Sequence, residues 1–206
     1  MVQELFQKAD LELIEEVKRG NIRSFSELVK RHQKGLFRLC LRFLKSTELA
    51  EDVVQETFIK AYEKLETFEG RSSFKSWLYQ IGVNSAKNRL REFRYDMDDI
   101  ENVHLAIGAS LDQGLIHAAL SDIIQKEVDE LPQKQKMALT LRVYDDLSFK
   151  EIAHIMNCPY DTAKANYRHA LMKLRHVFES SEELRAFMEE SSSVLVHFNN
   201  LACEVE

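Results

Sequence analysis

Seven residues near the end of the chain have types and spacing suited to the recognition of DNA bases. They fall on one side of the helix that residues 160–178 predict: Asp161, Thr162, Lys164, Ala165, Asn166, Arg168 and His169. Amide, imidazole and guanidinium groups can hydrogen-bond to base edges, and cations contact phosphates. An apolar stripe occupies the other side: Ala163, Tyr167, Ala170, Leu171, Leu174 and Phe178. This pattern is typical of a helix that packs on its protein with one face and binds DNA with the other.

The preceding residues predict the partner on which this apolar stripe packs. Ser148 is a natural N-cap, and Ile152, Ala153, Ile155 and Met156 follow at helical spacing. Asn157 and Cys158 would form a brief turn, and Pro159 suits the first position of the next helix. The two helices therefore predict a helix-turn-helix whose second helix could lie in a DNA major groove. The alternative is an ordinary helix hairpin without a DNA role.

Composition favours an all-α protein and gives no sign of an enzyme. The 206 residues allow one or two domains, and six Gly and two Pro argue against a β-rich chain. No catalytic triad, phosphate-binding Gly loop or metal-ligand spacing is present in the sequence, so no catalytic residue, metal or cofactor is expected. The sequence has neither a secretory signal nor a membrane-spanning run, and three scattered Cys suggest reduced thiols. We therefore expect a cytoplasmic protein without membrane insertion.

The net charge of −6 conceals two basic regions. Residues 10–95 carry 17 basic and 13 acidic side chains, and residues 131–178 carry 8 and 4. Residues 96–130 have a net charge of −8, and residues 179–206 have one of −6. Two modestly basic modules separated and followed by acidic segments suggest nucleic-acid contact combined with regulation or mimicry.

The first basic region predicts several helices with distinct faces. A short helix should stop near Gly20, and a long one should run from about Phe25 to Leu44, with His32 as a packed or hydrogen-bonded core histidine. Ser46 or Thr47 can cap a third helix. Its second face contains four acids or amides and one Ile: Asp52, Gln55, Glu56, Ile59 and Glu63. This face is either merely solvated or a protein-docking surface in which charge surrounds an apolar anchor.

A polar loop and a basic helix follow. The loop lies between Phe68 and Phe74, and Ser73 can cap the helix that comes next. We predict an outer face on this helix made of Ser76, Gln80, Val83, Asn84, Lys87 and Arg91. With the aromatic Trp77 and Tyr79 nearby, this face suits a phosphate backbone and unstacked bases. For Trp77 itself, core packing is the favoured interpretation.

Three segments in order resemble the extracytoplasmic-function (ECF) sigma factors of bacterial RNA polymerase, in the sigma-70 superfamily. They are DVVQETFIKAY (52–62), FEGRSSFKSWLYQIGVNSAKN (68–88) and LSFKEIAHIMNCPYDTAKANYRHALMKLR (147–175). The resemblance implies an all-α protein with two helical domains joined by an acidic linker. The −10 and core-binding domain would span 10–95, the linker 96–114, and the −35-binding helix-turn-helix domain 115–178. Residues 179–206 would form an acidic extension, for which regulation is one candidate role.

The resemblance also implies roles for particular residues. Core polymerase would be bound through its β′ clamp helices by Asp52, Gln55, Glu56 and Ile59, with the β flap as a further contact. Promoter −10 DNA would be bound by the loop Glu69, Gly70, Arg71, Ser72 and Ser73 and by Asn84, Lys87 and Arg91. The −35 element would be bound by Lys164, Ala165, Asn166, Arg168 and His169. An anti-sigma factor is a further expected partner.

The recognition helix departs from the family pattern. Relatives commonly read TVKSR or TVRSR where this chain has TAKAN at 162–166, and an Arg is usual at the position of His169. Loss of a bidentate Arg removes about 1–3 kcal/mol of base discrimination. Either the −35 sequence differs or this domain binds DNA weakly.

Two other functions remain open at the level of sequence. A free-standing helix-turn-helix regulator would need only the second module. A sigma-like decoy that sequesters an anti-sigma protein would keep both folds and lose base readout, as Ala165, Asn166 and His169 allow.

The two acidic segments also have alternative interpretations. The linker threads the polymerase channel in the family, although a solvated tether is the simpler alternative. For the tail we hypothesise a role in tuning DNA or core binding, with a disordered end as the alternative.

Overall fold

The computed structural model describes residues 9–96 and 124–180, which form two compact units. All the regular elements within these two ranges are helices, and no strand occurs in either. The fold is therefore all-α with two helical domains, as the sequence predicts. Residues 97–114 of the predicted linker and residues 181–206 of the tail lie outside the described residues.

Within residues 9–96, the first unit contains four helices and a short 3₁₀ turn. The longest helix, α2, packs against α1, α3 and α4, and α3 also packs against α4. The bounds are α1 Asp10–Lys18, α2 Ile22–Leu44, α3 Thr47–Glu63, the 3₁₀ turn Leu65–Thr67 and α4 Phe74–Asp96. The core lies where α2, α3 and α4 meet, because Leu36, Val53 and Leu78 are fully buried there.

The ends of these helices follow local sequence signals. Gly20 has φ +95°, a conformation that costs glycine little, and it ends the α1 region as predicted. Ser46 is the N-cap of α3, and its hydroxyl oxygen accepts a hydrogen bond from the backbone N–H of Leu49 at 3.3 Å. The predicted cap is therefore confirmed at Ser46.

Glycines allow α4 to approach α2 very closely. A Cβ built on Gly82 would lie 2.7 Å from Leu36 Cδ1 and 3.5 Å from Thr57 Oγ1. On the facing helix, a Cβ on Gly35 would lie 2.5 Å from the Tyr79 hydroxyl oxygen. The distances of 2.7 Å and 2.5 Å are too short for a real Cβ, so the missing Cβ atoms at Gly82 and Gly35 allow the close helix separation.

A partly buried polar network fixes α1 on α2. One carboxylate oxygen of Asp10 lies 3.0 Å from Arg31 Nη1, and the other lies 2.7 Å from His32 Nε2. His32 also packs edge-on against Phe74, at 5.3 Å between ring centroids. The prediction of a hydrogen-bonded core histidine is confirmed. The hydrogen bond from His32, supported by Arg31, lowers the pKa of Asp10 below its usual value despite partial burial.

We expect Asp10→Asn to destabilise the first unit by about 1 kcal/mol at pH 7 and to reduce its acid sensitivity. A carboxyl with a lowered folded-state pKa stabilises the protein above its unfolded pKa and loses this contribution as pH falls through the folded value. The difference between wild type and Asp10→Asn should therefore shrink below about pH 4. This difference in the free energy of unfolding is measured by urea unfolding at several pH values, monitored by the fluorescence of Trp77, the single tryptophan. A constant difference down to pH 2 would contradict this role for Asp10.

The second unit contains a three-helix arrangement preceded by a helical segment at residues 124–129. Helix α7 packs on both α5 and α6, which also contact each other. The bounds are α5 Gln133–Val143, α6 Phe149–Met156 and α7 Tyr160–Ser180. The sequence does not predict α5 as a separate helix, because five consecutive residues from Met137 to Leu141 are buried and hide the helical periodicity.

Two cysteines lie within the described residues. Cys40 and Cys158 are reduced and form no disulfide, and burial raises the pKa of Cys40 to about 12, which makes it unreactive. No helix in the ranges 9–96 and 124–180 combines the length and apolar character needed to cross a bilayer.

Candidate nucleic-acid interface

The polar side of α7 is exposed, as a DNA-reading helix requires. Asp161, Thr162, Ala165, Arg168 and His169 are exposed, whereas Lys164 and Asn166 are partly covered. The opposite side is buried at Ala163, Tyr167, Ala170, Leu171 and Leu174. The division of the helix into two faces matches the sequence prediction. The Asn166 side-chain N–H donates to the Thr162 carbonyl oxygen at 2.8 Å, so part of its amide is engaged within the helix.

Helix α6, which packs against α7, is capped at both of its ends. Ser148 and Glu151 form a reciprocal capping box, since each side chain accepts a hydrogen bond from the other residue's backbone N–H, at 3.3 and 3.0 Å. Asn157 ends the helix in the left-handed conformation with φ +52°. The predicted cap and turn are confirmed. Pro159, predicted as the first helical residue, instead lies one position before α7, where its carbonyl oxygen accepts from the Ala163 N–H at 3.1 Å.

Aromatic packing joins the two helices of this motif. Phe149 of α6 lies 5.4 Å from Tyr167 and 6.4 Å from Tyr160 of α7, measured between ring centroids and in edge-on geometry. The guanidinium of Arg142 on α5 lies 5.5 Å from the Phe149 ring centroid. These contacts fix the orientation of α7 relative to α5 and α6, and with it the direction of its exposed polar face.

The outer face of α3 carries an apolar side chain surrounded by polar ones. Ile59 is 60% exposed, and Asp52, Gln55 and Glu63 are exposed on the same face. We call Asp52, Gln55, Glu56 and Ile59 the docking stripe. An Ile with this exposure contributes little to the core, so its presence beside charged residues suits contact with another protein.

Glu56 has a second, structural role that the sequence did not reveal. Its carboxylate pairs with Lys60 one turn later and lies 3.9 Å from Arg89 Nη2 on α4. Lys60 Nζ also donates to the Ser85 hydroxyl on α4 at 3.1 Å. These contacts link the docking stripe to the helix that carries the basic face, so we assign Glu56 a bridging role between α3 and α4.

The loop 69–73 is anchored at both ends by aromatic side chains. Phe68 and Phe74 are buried, and the Phe68 ring centroid lies 5.1 Å from that of Trp77. Lys18 Nζ donates to the Phe68 carbonyl oxygen at 3.1 Å. Between the anchors, Glu69, Gly70 and Arg71 are exposed, with φ +71° at Gly70. The loop therefore exposes polar side chains and backbone groups between two buried aromatic residues.

Ser72 and Ser73, at the end of this loop, are less available to a ligand than the residues at its tip. The Ser73 hydroxyl accepts a hydrogen bond from the Ser76 N–H at 3.2 Å, which confirms the predicted cap of α4. Ser72 is partly buried. The ion pair between Arg71 and Glu69, at 2.5 Å, joins two exposed side chains, so water can replace it at little cost.

The basic face of α4 is narrower than the sequence predicted. Asn84 and Arg91 are exposed and Lys87 is partly exposed. However, Ser76 and Val83 are buried, and so is Tyr79, which is therefore not available to stack on a base. These three assignments were wrong because α4 packs between α2 and α3 and buries a wider arc than a helix with one neighbour. Trp77 is partly buried against Phe68 and Phe74, in line with the favoured packing interpretation.

Comparison with known proteins identifies the family. Residues 28–94 match the model of sigma-70 region 2, and residues 121–174 match that of sigma-70 region 4. The ECF RNA polymerase sigma-E factor of Escherichia coli K12 is 39% identical over 170 residues, covering 77% of this chain and 88% of the relative. This chain is an ECF sigma factor.

Further relatives agree with this membership. The RNA polymerase sigma-H factor of Pseudomonas aeruginosa is 36% identical over 172 residues, covering 78% of this sigma factor and 89% of that protein. Among solved structures, CnrH in complex with the cytosolic domain of CnrY has a TM-score of 0.63 at 22% identity, covering 85% of this chain and all of that one. The sigma factor RpoE of Bartonella quintana, in complex with the anti-sigma factor NepR, has a TM-score of 0.65 at 24% identity, covering 78% and 99%. These two structures support the fold.

Proposed function

We propose that this sigma factor binds core RNA polymerase and directs it to promoters through separate −10 and −35 contacts. The observation that carries the proposal is the two-sided character of α7: one face is buried in its domain, and the other leaves Ala165, Arg168 and His169 exposed and Lys164 partly exposed. A rigid helix with exposed polar side chains is the geometry of major-groove readout. The Asn166 side-chain amide donates one hydrogen bond to the Thr162 carbonyl oxygen, and its other hydrogen-bonding groups would contact DNA.

The first domain would dock on polymerase and hold melted DNA. Asp52, Gln55 and Ile59 suit contact with the β′ clamp helices, because an apolar anchor within a polar ring resembles an interface hot spot. The anchored loop from Glu69 to Ser73 would capture an unstacked base, and Asn84, Lys87 and Arg91 would contact the backbone of −10 DNA. Unstacking costs a few kcal/mol, which edge hydrogen bonds and phosphate contacts offset.

The proposed domain bounds and partners complete this function. We assign residues 10–95 to core and −10 binding, 96–114 to the linker, 115–178 to −35 binding, and 179–206 to a regulatory extension. The β flap and an anti-sigma factor are proposed further partners. The protein would act in the cytoplasm as a non-enzymatic initiation factor, with the chemistry of RNA synthesis supplied by the polymerase.

A decoy that sequesters an anti-sigma protein is the second candidate. It is favoured by Ala165, which has no hydrogen-bonding side chain, and by His169 in place of the usual Arg. The two functions differ in one property, because only the sigma factor makes core polymerase start at defined sites. A free-standing regulator is disfavoured by the exposed docking stripe, which such a protein would not need.

We expect Lys164→Ala and Arg168→Ala each to weaken binding of the holoenzyme to promoter DNA. If the side chain contacts phosphate, the slope of log affinity against log salt should fall by about 1 for each substitution, whereas a base contact would cost about 1–3 kcal/mol at one promoter position. Fluorescence anisotropy with a labelled promoter over a salt series measures both effects. Arg175→Ala is the matched control, because Arg175 is exposed on the same helix and paired with Glu179 at 2.8 Å. Unchanged affinity in both variants would contradict −35 binding by this face.

A further inference from the structure

A shallow apolar groove lies in the second unit, between residues 127–131 and the last turns of α7. Its volume is about 370 Å³, at the small end of the range for ligand clefts. Leu131, Met172 and Val177 contribute apolar surface to it. Met172 is 59% exposed, the most exposed large apolar side chain among the described residues of this unit. Such a side chain beside a groove marks a surface that another segment can cover.

The two walls of the groove carry opposite charges. Glu127 and Glu130 line one wall, and Lys173 and His176 line the other. A well-matched occupant therefore needs an apolar centre, a cation on one flank and an acid on the other.

The chain that follows α7 contains a segment with these features. Leu184, Phe187 and Met188 are spaced at intervals of three and four, so they would share one face of a helix. At 100° per residue, Arg185 and Glu183 would flank that face on opposite sides. We propose that residues 183–190 dock in this groove of the same molecule, as a helix that returns antiparallel to the end of α7.

The length of chain between the two parts fits this arrangement. The helix α7 extends to Ser180, three residues beyond Val177, and 26 residues follow. Antiparallel helices are commonly joined by a few residues. Since both helices rise about 1.5 Å per residue, a turn near residue 181 places Leu184 beside Val177 and Met188 beside Met172 and Lys173. Arg185 and Glu183, on opposite flanks of the docked face, supply one cation and one acid for the two oppositely charged walls.

The test uses the full-length protein labelled with ¹³C at its methionine methyl groups. We expect Leu184→Ser with Phe187→Ser to shift the Met172 methyl resonance and to increase its relaxation by a soluble paramagnetic agent. The resonance of Met137, which is buried in the same unit, should stay unchanged and so report an intact domain. The matched control is Leu195→Ser with Val196→Ser, which removes apolar side chains from the tail outside the proposed segment.

Each other outcome would overturn the proposal. No change at Met172 in the Leu184→Ser/Phe187→Ser protein would mean that the groove is open in the wild type. A change only in the Leu195→Ser/Val196→Ser control would assign the groove to a later segment. A wild-type Met172 signal that changes on dilution would assign it to a second copy of the chain.

Discussion

Replacement of Ile59 by Asp is expected to weaken binding to core RNA polymerase by about 30-fold, which corresponds to the roughly 2 kcal/mol typical of an interface hot spot. Ile59 is 60% exposed, so the substitution removes little core packing. It would place a carboxylate beside Asp52 and Glu56, where an apolar contact with polymerase is proposed. Titration of the fluorescently labelled protein with core polymerase measures the affinity.

A control on the same helix separates docking from a general loss of helix structure. Glu51 is exposed on α3 but lies to the side of the docking stripe, so Glu51→Ala should bind polymerase like the wild type. Thermal unfolding followed by circular dichroism should be nearly unchanged for both variants, because both positions face solvent. Wild-type affinity in Ile59→Asp would place the docking surface elsewhere.

The second large effect concerns the close contact between α2 and α4. We expect Gly82→Val to destabilise the first domain by about 1–3 kcal/mol, since a Cβ at this position would lie 2.7 Å from Cδ1 of the fully buried Leu36. The loss exceeds the small gain in helix propensity over Gly. Urea unfolding followed by Trp77 fluorescence reports on this domain alone, because the chain contains one tryptophan.

The matched control places the same side chain at an open position of the same helix. Asn84 is exposed two residues after Gly82, so Asn84→Val should change the free energy of unfolding by no more than about 0.5 kcal/mol. If Gly82→Val were as stable as Asn84→Val, the separation of α2 and α4 would not depend on the missing Cβ.

Local signals made the helix-turn-helix predictable from sequence. The cap at Ser148, its partner Glu151 and the turn at Asn157 depend on residues within a few positions of one another. The buried face of α7 is equally local, because Ala163, Tyr167 and Ala170 recur at intervals of three and four. For the same reason the exposed face, with its candidate base contacts, could be identified without knowledge of the tertiary structure.

The errors concern contacts between distant parts of the chain. Tyr79 and Val83 are buried because α4 lies between two neighbours, and periodicity alone does not reveal the number of neighbours. The pairing of Glu56 with Arg89 depends on the approach of α3 to α4, in which Gly82 also faces Thr57. A glycine within an otherwise helical pattern was the available signal for this close packing.

Run-off transcription with purified core polymerase on a pooled library of genomic promoters tests the central claim most directly. The assay compares the wild type with Asp52→Ala plus Gln55→Ala, two exposed changes in the docking stripe. We predict transcripts with defined start sites that depend on the added wild-type protein and disappear with the double variant. Binding to core polymerase without any specific starts would contradict promoter-directing function and favour the decoy.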